Sequence, residues 1–173
     1  MMVTLHGSHP PYPTTDESIF EEEITIYTDG CCLVNPGGDG GWAYIKITDG
    51  KETRASGYIP ETTNNIAELT AVIESLKSVE GKNRTIHIHS DSKYVISAFN
   101  EGWLSNWKRN GWITSSGNAV KNIGLWTELD ILQKKHNCTW TWVKGHADNK
   151  YNIACDKMAG TAATTKRALK EGA

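Results

Sequence analysis

The sequence predicts an α/β fold built on a five-stranded mixed sheet, with elements in the order βββαβααβα and helices on both faces. Three observations point to it. Three strand-like runs follow one another across short Gly- and Asp-containing turns. The hydrophobic period then changes from two to that of a helix. From residue 86 onward, strands and helices alternate. A meander makes the first three strands antiparallel, and helical crossovers set the later ones parallel to the first.

Residues 1–20 read as a disordered leader, because His9-Pro10-Pro11-Tyr12-Pro13 has no hydrophobic period and too much proline. One domain is expected over 21–169, followed by a short tail at 170–173. The β-branched and aromatic run Ile24–Asp29 forms the first strand, and Asn35-Pro36-Gly37-Gly38 is turn chemistry. Strands at about 42–48 and 52–59 flank Asp49-Gly50, a strong hairpin signal. Ile66, Leu69, Val72, Ile73 and Leu76 then recur at helical spacing behind Thr62, Thr63, Asn64 and Asn65, which can cap a helix. Gly81 ends that segment. Ile86–Asp91 reads as a short strand, followed by a helix through Tyr94, Val95 and Ala98. A Trp-rich stretch spans Trp103 to Trp112, and a helix over 122–136 carries Ile123, Trp126, Leu129 and Leu132 on one stripe. Thr139–Val143 alternates as a strand does, Gly145 breaks it, and a last helix covers about 151–169.

Composition is that of an ordinary globular chain, 38% apolar and 22% charged over 173 residues. No apolar run approaches the ~18–20 residues of a membrane span, and the start lacks a secretory or mitochondrial signature. A cytoplasmic location is expected. Cys31, Cys32, Cys138 and Cys155 show neither disulfide-framework nor zinc spacing, so free thiols are expected. The net charge of −2 conceals an asymmetry. Residues 1–23 carry −5 and the remainder +3, with Lys108, Arg109 and Lys121 and no acid over 102–127. A locally basic surface of this kind suits a polyanion.

Four acids stand where chemistry is possible. Asp29 ends the first strand and Asp91 the fourth, so parallel strands bring them together at the sheet edge. Glu68 lies early in a helix, and Asp156 lies in the last one. Taken singly, each has an ordinary role as cap, turn former or surface charge. A cluster of carboxylates, however, stays ionised only beside cations, and oxygen-only donors suit magnesium or manganese. Two such ions ~3.5–4 Å apart can clamp the attacking and leaving oxygens of a phosphoryl displacement. His87 and His89 share a strand face with Asp91, but as nitrogen donors they read as side chains packed beside the sheet.

The residues around these acids carry a resemblance. Thr28-Asp29-Gly30-Cys31-Cys32-Leu33-Val34-Asn35-Pro36-Gly37-Gly38, Thr62-Thr63-Asn64-Asn65-Ile66-Ala67-Glu68-Leu69 and Ser90-Asp91-Ser92-Lys93-Tyr94-Val95 stand in order along the chain. Trp142-Val143-Lys144-Gly145-His146-Ala147 follows, with Asp156 ten positions after His146. Together they resemble the motifs of the type I ribonuclease H family, from about Ile24 to Thr161. The resemblance implies an endonuclease that cuts the RNA strand of RNA–DNA hybrids, leaving 5′-phosphate and 3′-hydroxyl ends. It implies that Asp29, Glu68, Asp91 and Asp156 hold two magnesium ions, with manganese a substitute, and that His146 assists proton traffic or product departure.

It also assigns the hybrid contact. Asn35, Thr63, Asn64 and Asn65 are short polar groups on tight turns, suited to reading a 2′-hydroxyl while also capping and shaping those turns. Lys93 stands where the family commonly has an uncharged side chain near the RNA minor groove. The stretch from Trp103 to Lys121 resembles the family's basic protrusion, in which Trp103, Trp107, Lys108 and Arg109 interleave aromatics with charge. At least one of these tryptophans is expected in the core. Lys121 and Asn122 would hold a phosphate at a helix entrance. Fold alone does not fix substrate, so a DNA-cutting nuclease or integrase and a domain excised from a reverse transcriptase stay open. The Thr-Asn-Asn and Asn-Pro-Gly turns favour the hybrid, and Met1-Met2 favours a free-standing enzyme. The expected partner is the hybrid duplex, with no membrane, and the expected state is a monomer.

Overall fold

The computed structural model describes residues 22–145 and 148–172; residues 1–20, the expected leader, and His146 lie outside the described residues. The meander consists of β1 (Ile24–Cys32), β2 (Gly40–Thr48) and β3 (Lys51–Ile59). β1 and β2 pair antiparallel, as do β2 and β3. Asp49 and Gly50 both take positive φ, 51° and 71°, as a two-residue hairpin turn matched to strand twist requires. α1 (Asn64–Lys77) starts where Thr63 Oγ1 accepts the Ile66 N–H at 3.2 Å. β4 (Thr85–Ser90) and α2 (Lys93–Asn100) follow, the latter capped by Ser92.

With β5 spanning Asn137–Trp142 and β6 Leu169–Glu171, the sheet order is β5-β4-β1-β2-β3-β6, with β4 parallel to β1 and β5 parallel to β4. Alternation along β2 assigns its two faces. Tyr44 joins the larger core with Leu69, Val72 and Leu76 of α1 and Trp126 and Leu129 of α4 (Ile123–Lys134). Ala43 and Ile45 face the other way, against Cys155 and Ala159 of α5 (Lys150–Thr165). Helices therefore cover both faces. Trp126 is fully buried, and its one polar atom is satisfied, with Nε1 donating to Tyr94 Oη at 2.9 Å. Emptying such a site costs about 3–5 kcal/mol.

Four features differ from the expectation. The sheet has six strands, because Leu169–Glu171 forms β6 antiparallel to β3. α5 stops at Thr165, where Lys166 turns left-handed at φ 56°, and the chain beyond it returns to the sheet edge. A three-residue exposed strand has no alternation to detect. The Trp-rich stretch forms a helix of its own, α3 (Trp103–Arg109), which gives five helices among the described residues. Finally, β1 does not end at Asp29 but continues to Cys32, paired there with β2 alone. No helix among the described residues is long and apolar enough to cross a membrane.

Candidate active site and nucleic-acid interface

The site begins where β4 stops. Thr28 and Ser90 are the last parallel pair between β1 and β4, so Asp29 and Asp91 follow side by side. Convergence comes from the end of β4 rather than of β1. Glu68 reaches them because Gly30 lets α1 touch the strand. A Cβ on Gly30 would lie 2.3 Å from the Ala67 carbonyl carbon and 2.4 Å from the Glu68 nitrogen. The Thr63 cap sets the phase of the helix, and Glu68 comes five residues later. One carboxylate oxygen from each of Asp29, Glu68 and Asp91 lies within 4.8 Å of the others.

Asp156 stands on α5, one residue after the buried Cys155, whose thiol points to the Tyr27 carbonyl at 3.4 Å. The helix can approach because Gly41 leaves room for it, a Cβ there falling 2.1 Å from the Ala159 carbonyl oxygen. The charge of Asp156 is felt at both Asp29 and Asp91. It thus flanks the cluster from the opposite face of the sheet.

Electrostatics mark the cluster as strained without a counter-charge. Burial, and then the charge of Asp91, push the Asp29 carboxyl up to about 7. Burial together with Asp29 and Asp91 holds Glu68 well above the usual range. Burial and then Asp156 raise Asp91. Glu68 Oε2 is buried with no hydrogen-bond partner among the described residues. An oxygen-only donor set, mutual repulsion and an orphaned carboxylate oxygen are each relieved by a hard divalent cation. The residues therefore fit magnesium or manganese.

Two further groups act on Asp91. Trp142 donates its indole N–H to the Asp91 carbonyl at 3.0 Å, and a Cβ on Gly145 would sit 3.0 Å from Asp91 Oδ2. Sequence reasoning gave Trp142 no role beyond its motif, although a tryptophan at a strand end beside a Gly loop was a usable signal. Lys93 is exposed and holds its ammonium 4.9 Å above the Trp142 ring. His87 is engaged by Thr139 at 2.7 Å and Glu23 at 3.0 Å, while His89 stacks on Tyr27 at 4.7 Å. Neither joins the acids.

Beside the acids lies a cleft of about 390 Å³ lined by Asn35, Pro36, Thr63, Asn64, Asn65, Ile66, Lys121 and Asn122. All but Pro36 and Ile66 were singled out from the sequence. Asn35 Oδ1 accepts the Asn64 N–H at 3.1 Å, and Asn64 Oδ1 accepts the Cys32 N–H at 3.0 Å. Both carbonyl oxygens are thus committed, which presents the amide NH₂ groups of two exposed residues as donors. A second concavity of about 300 Å³ shares Asn65 and Lys121 and runs to Trp107 and the 114–120 loop.

The protrusion is less uniform than expected. Trp103 is 38% exposed, whereas Trp107 leans on the core with its ring edge-on to Trp126 at 5.4 Å. Lys108 is exposed but paired within the chain, to the buried Asp130 at 2.8 Å. Arg109 donates to the Asn106 side chain and Lys121 is exposed. Of the two charges on α3, the sequence could not distinguish the paired one, because its partner lies 22 residues away.

A mixed sheet with a carboxylate centre at the end of its central parallel strands, bordered by an amide-lined cleft, defines an α/β protein whose site suits a divalent cation and a polar ligand. The RNase H family pattern matches residues 21–164, and the chain belongs to that family. It is 48% identical over 136 residues to the ribonuclease H of Thermoanaerobacter sp. (strain X514), covering 79% of this chain and 86% of that protein. It is 46% identical over 138 residues to the ribonuclease H of Acetivibrio thermocellus, covering 80% and 92%. Among solved structures, it resembles LC9-RNase H1, a type 1 RNase H with the type 2 active-site motif. That match has a TM-score of 0.78 at 26% identity, covering 88% of this chain and 78% of the other. LC11-RNase H1 in complex with an RNA/DNA hybrid shares the fold, with a TM-score of 0.58 at 19% identity over 83% and 99% of the two chains.

Proposed function

We propose that this chain is an endoribonuclease that hydrolyses the RNA strand of RNA–DNA hybrids, leaving 5′-phosphate and 3′-hydroxyl ends. The observation that carries it is the Asp29, Glu68 and Asp91 cluster, closed to within 4.8 Å, beside the amide-lined cleft. In this reading Asp29, Glu68, Asp91 and Asp156 hold two magnesium ions, for which manganese can substitute. The bound cations supply the charge that makes water a nucleophile and stabilises the leaving 3′-oxygen.

The chain's own groups do the rest. Asp29 would have to be ionised to hold a cation, so its carboxylate form is the one the cluster would use. His146 moves protons or helps product depart, since imidazole titrates near neutrality. Asn35, Thr63, Asn64 and Asn65 read the 2′-hydroxyl of the RNA strand, with donors free to meet a group that both gives and accepts hydrogen bonds. Lys93 lies along the RNA side, near Asp91. Trp103, Arg109, Lys121 and Asn122 contact the DNA backbone, and Trp107 and Lys108 support the helix that carries them. The protein acts as a monomer in the cytoplasm, a reducing compartment in keeping with its four free cysteines.

Cleavage of matched hybrid, duplex RNA and duplex DNA in magnesium tests the reading. Cutting confined to the RNA of the hybrid is expected. Cutting of duplex DNA would instead mark a DNA nuclease on the same fold.

A further inference from the structure

The loop between β1 and β2 presents Asn35 to the cleft, and its pose depends on how both ends are held. At the near end, Asn35 ties the loop to α1 through the Asn64 N–H. In the middle, the Gly37 N–H donates to Thr62 at 2.8 Å and the Thr62 N–H to Gly38 at 2.9 Å. At the far end stands Asp39, half-buried. Its Oδ1 accepts the hydroxyl of Tyr58 on β3 at 2.8 Å, and its Oδ2 lies 3.7 Å from Lys166 Nζ. Lys166 is the left-handed residue that ends α5. One carboxylate therefore joins the loop to a strand and to a helix terminus.

The same residue closes the loop on itself, because its carbonyl accepts the Leu33 N–H at 2.8 Å. A shift at Asp39 is thus passed to residues 33–35 rather than absorbed. Asp29 is insulated from such a shift. It is held in the β1–β2 ladder opposite Ala43 and by the contact of Gly30 with α1.

We propose that Asp39 is a positioning residue for substrate recognition, which, held by Tyr58 and Lys166, sets the reach of Asn35 into the hybrid. The inference rests on the hybrid-cleaving reading and adds a determinant of specificity to that site. The hydrogen bond to Asp39 holds the Tyr58 phenol above its ordinary range, consistent with this brace.

The test compares the full chain with Asp39→Ala, Asp39→Asn and Tyr58→Phe, measuring KM, kcat and Tm on a uniform hybrid in saturating magnesium. Asp39→Ala and Tyr58→Phe should each raise KM roughly 3- to 10-fold with kcat held within about twofold. Asp39→Asn keeps an oxygen that accepts the phenol and should restore most of the affinity. Adding Asn35→Ala to Asp39→Ala should raise KM by less than the two single effects combined, because both act through one contact. An unchanged KM in Asp39→Ala and Tyr58→Phe overturns the proposal. So does a joint fall of kcat and Tm, which would make Asp39 a general fold contact. Failure of the unmodified chain to cut the hybrid overturns the functional reading itself, a separate result.

Discussion

Trp142 donates its indole N–H to the backbone oxygen of Asp91 at 3.0 Å, so the last residue of β5 holds the peptide of a residue in the carboxylate cluster. The neighbouring Ser90 carbonyl accepts the Val143 N–H at 2.9 Å, which extends the β4–β5 pairing up to the acid. The Trp142 ring is 43% exposed, so burial alone does not account for a tryptophan there. Trp142→Phe keeps an aromatic ring beneath Lys93 while removing the donor, with some ring area lost as well. Turnover should fall about 3- to 10-fold, the scale of one hydrogen bond. Half-maximal activity should require more magnesium, and Tm should move by no more than a few degrees. Magnesium titrations of the two proteins check this, and superimposable curves would reduce Trp142 to a surface ring.

The acid cluster also makes the fold sensitive to pH. Asp29 has an ordinary value of 3.8 and is pushed up to about 7 in the folded chain, by burial first and by Asp91 second. The unfolded chain releases this proton near pH 4 and the folded chain only near pH 7, so the native state binds more protons between them. Stability in chelator should therefore fall as pH rises through that window, and Glu68 and Asp91 shift in the same direction. Asp29→Asn removes one charge from the cluster. It should abolish hybrid cleavage, flatten the decline and raise the metal-free Tm at neutral pH by roughly 3–8 °C, at ~2–4 °C per kcal/mol in a domain of this size. Thermal melts in chelator from acid to neutral pH read the slope directly. Equal slopes for both proteins would place the strain elsewhere.

These two predictions differ in how much of their basis was legible in sequence. Asp29, Glu68 and Asp91 could be placed together because each sits at a local landmark: the T-D-G strand, the capped helix start and the S-D-S strand end. Local pattern also gave the Asp49-Gly50 hairpin, the α1 cap and, within the expected α4 stripe, the buried Trp126 and Leu129, while Ile123 at its start is exposed. What pattern could not reach were contacts between residues far apart in sequence. Trp142 to Asp91 spans 51 positions, and Tyr58 to Asp39 spans 19. β6 escaped because three exposed residues carry no period. Lys108 and Arg109 look alike in sequence, and only Asp130, on the facing helix, separates them.

His146 follows Gly145, whose backbone runs beside the Asp91 carboxylate. A proton-transfer group contributes ~10²–10⁴-fold, whereas on the proposed reading the carboxylates would hold the cations on which activation of water depends. His146→Ala should therefore slow single-turnover cleavage yet leave a measurable rate, unlike Asp29→Asn. Complete loss on a par with Asp29→Asn would show that His146 does more than move protons.

The protrusion offers a test in which two adjacent cations should behave differently. Lys108 sits 2.8 Å from Asp130, which is 8% exposed and also meets Lys134 at 3.2 Å. Burial pushes that carboxyl up, but Lys108, Gln133 and Lys134 outweigh it and hold Asp130 below its ordinary range. Lys108 thus stabilises the junction of α3 with α4 and contributes little to the surrounding field. Arg109 and Lys121 carry no ion pair among the described residues, and Lys121 lines both concavities of the proposed interface. Removing a cation that neutralises one phosphate should flatten the plot of log affinity against log salt by ~0.7–0.9. Arg109→Ala and Lys121→Ala should each show that change, raising KM with kcat nearly constant because the cation serves ground and transition states equally. Lys108→Ala should leave the salt slope unchanged and lower Tm by a few degrees, since Asp130 keeps Lys134 and Gln133. KM measured across a salt series for the three variants separates the roles. A flattened slope for Lys108→Ala would mean that Lys108 leaves Asp130 to meet the duplex, whereas an unchanged slope for Arg109→Ala and Lys121→Ala would remove the protrusion from the interface.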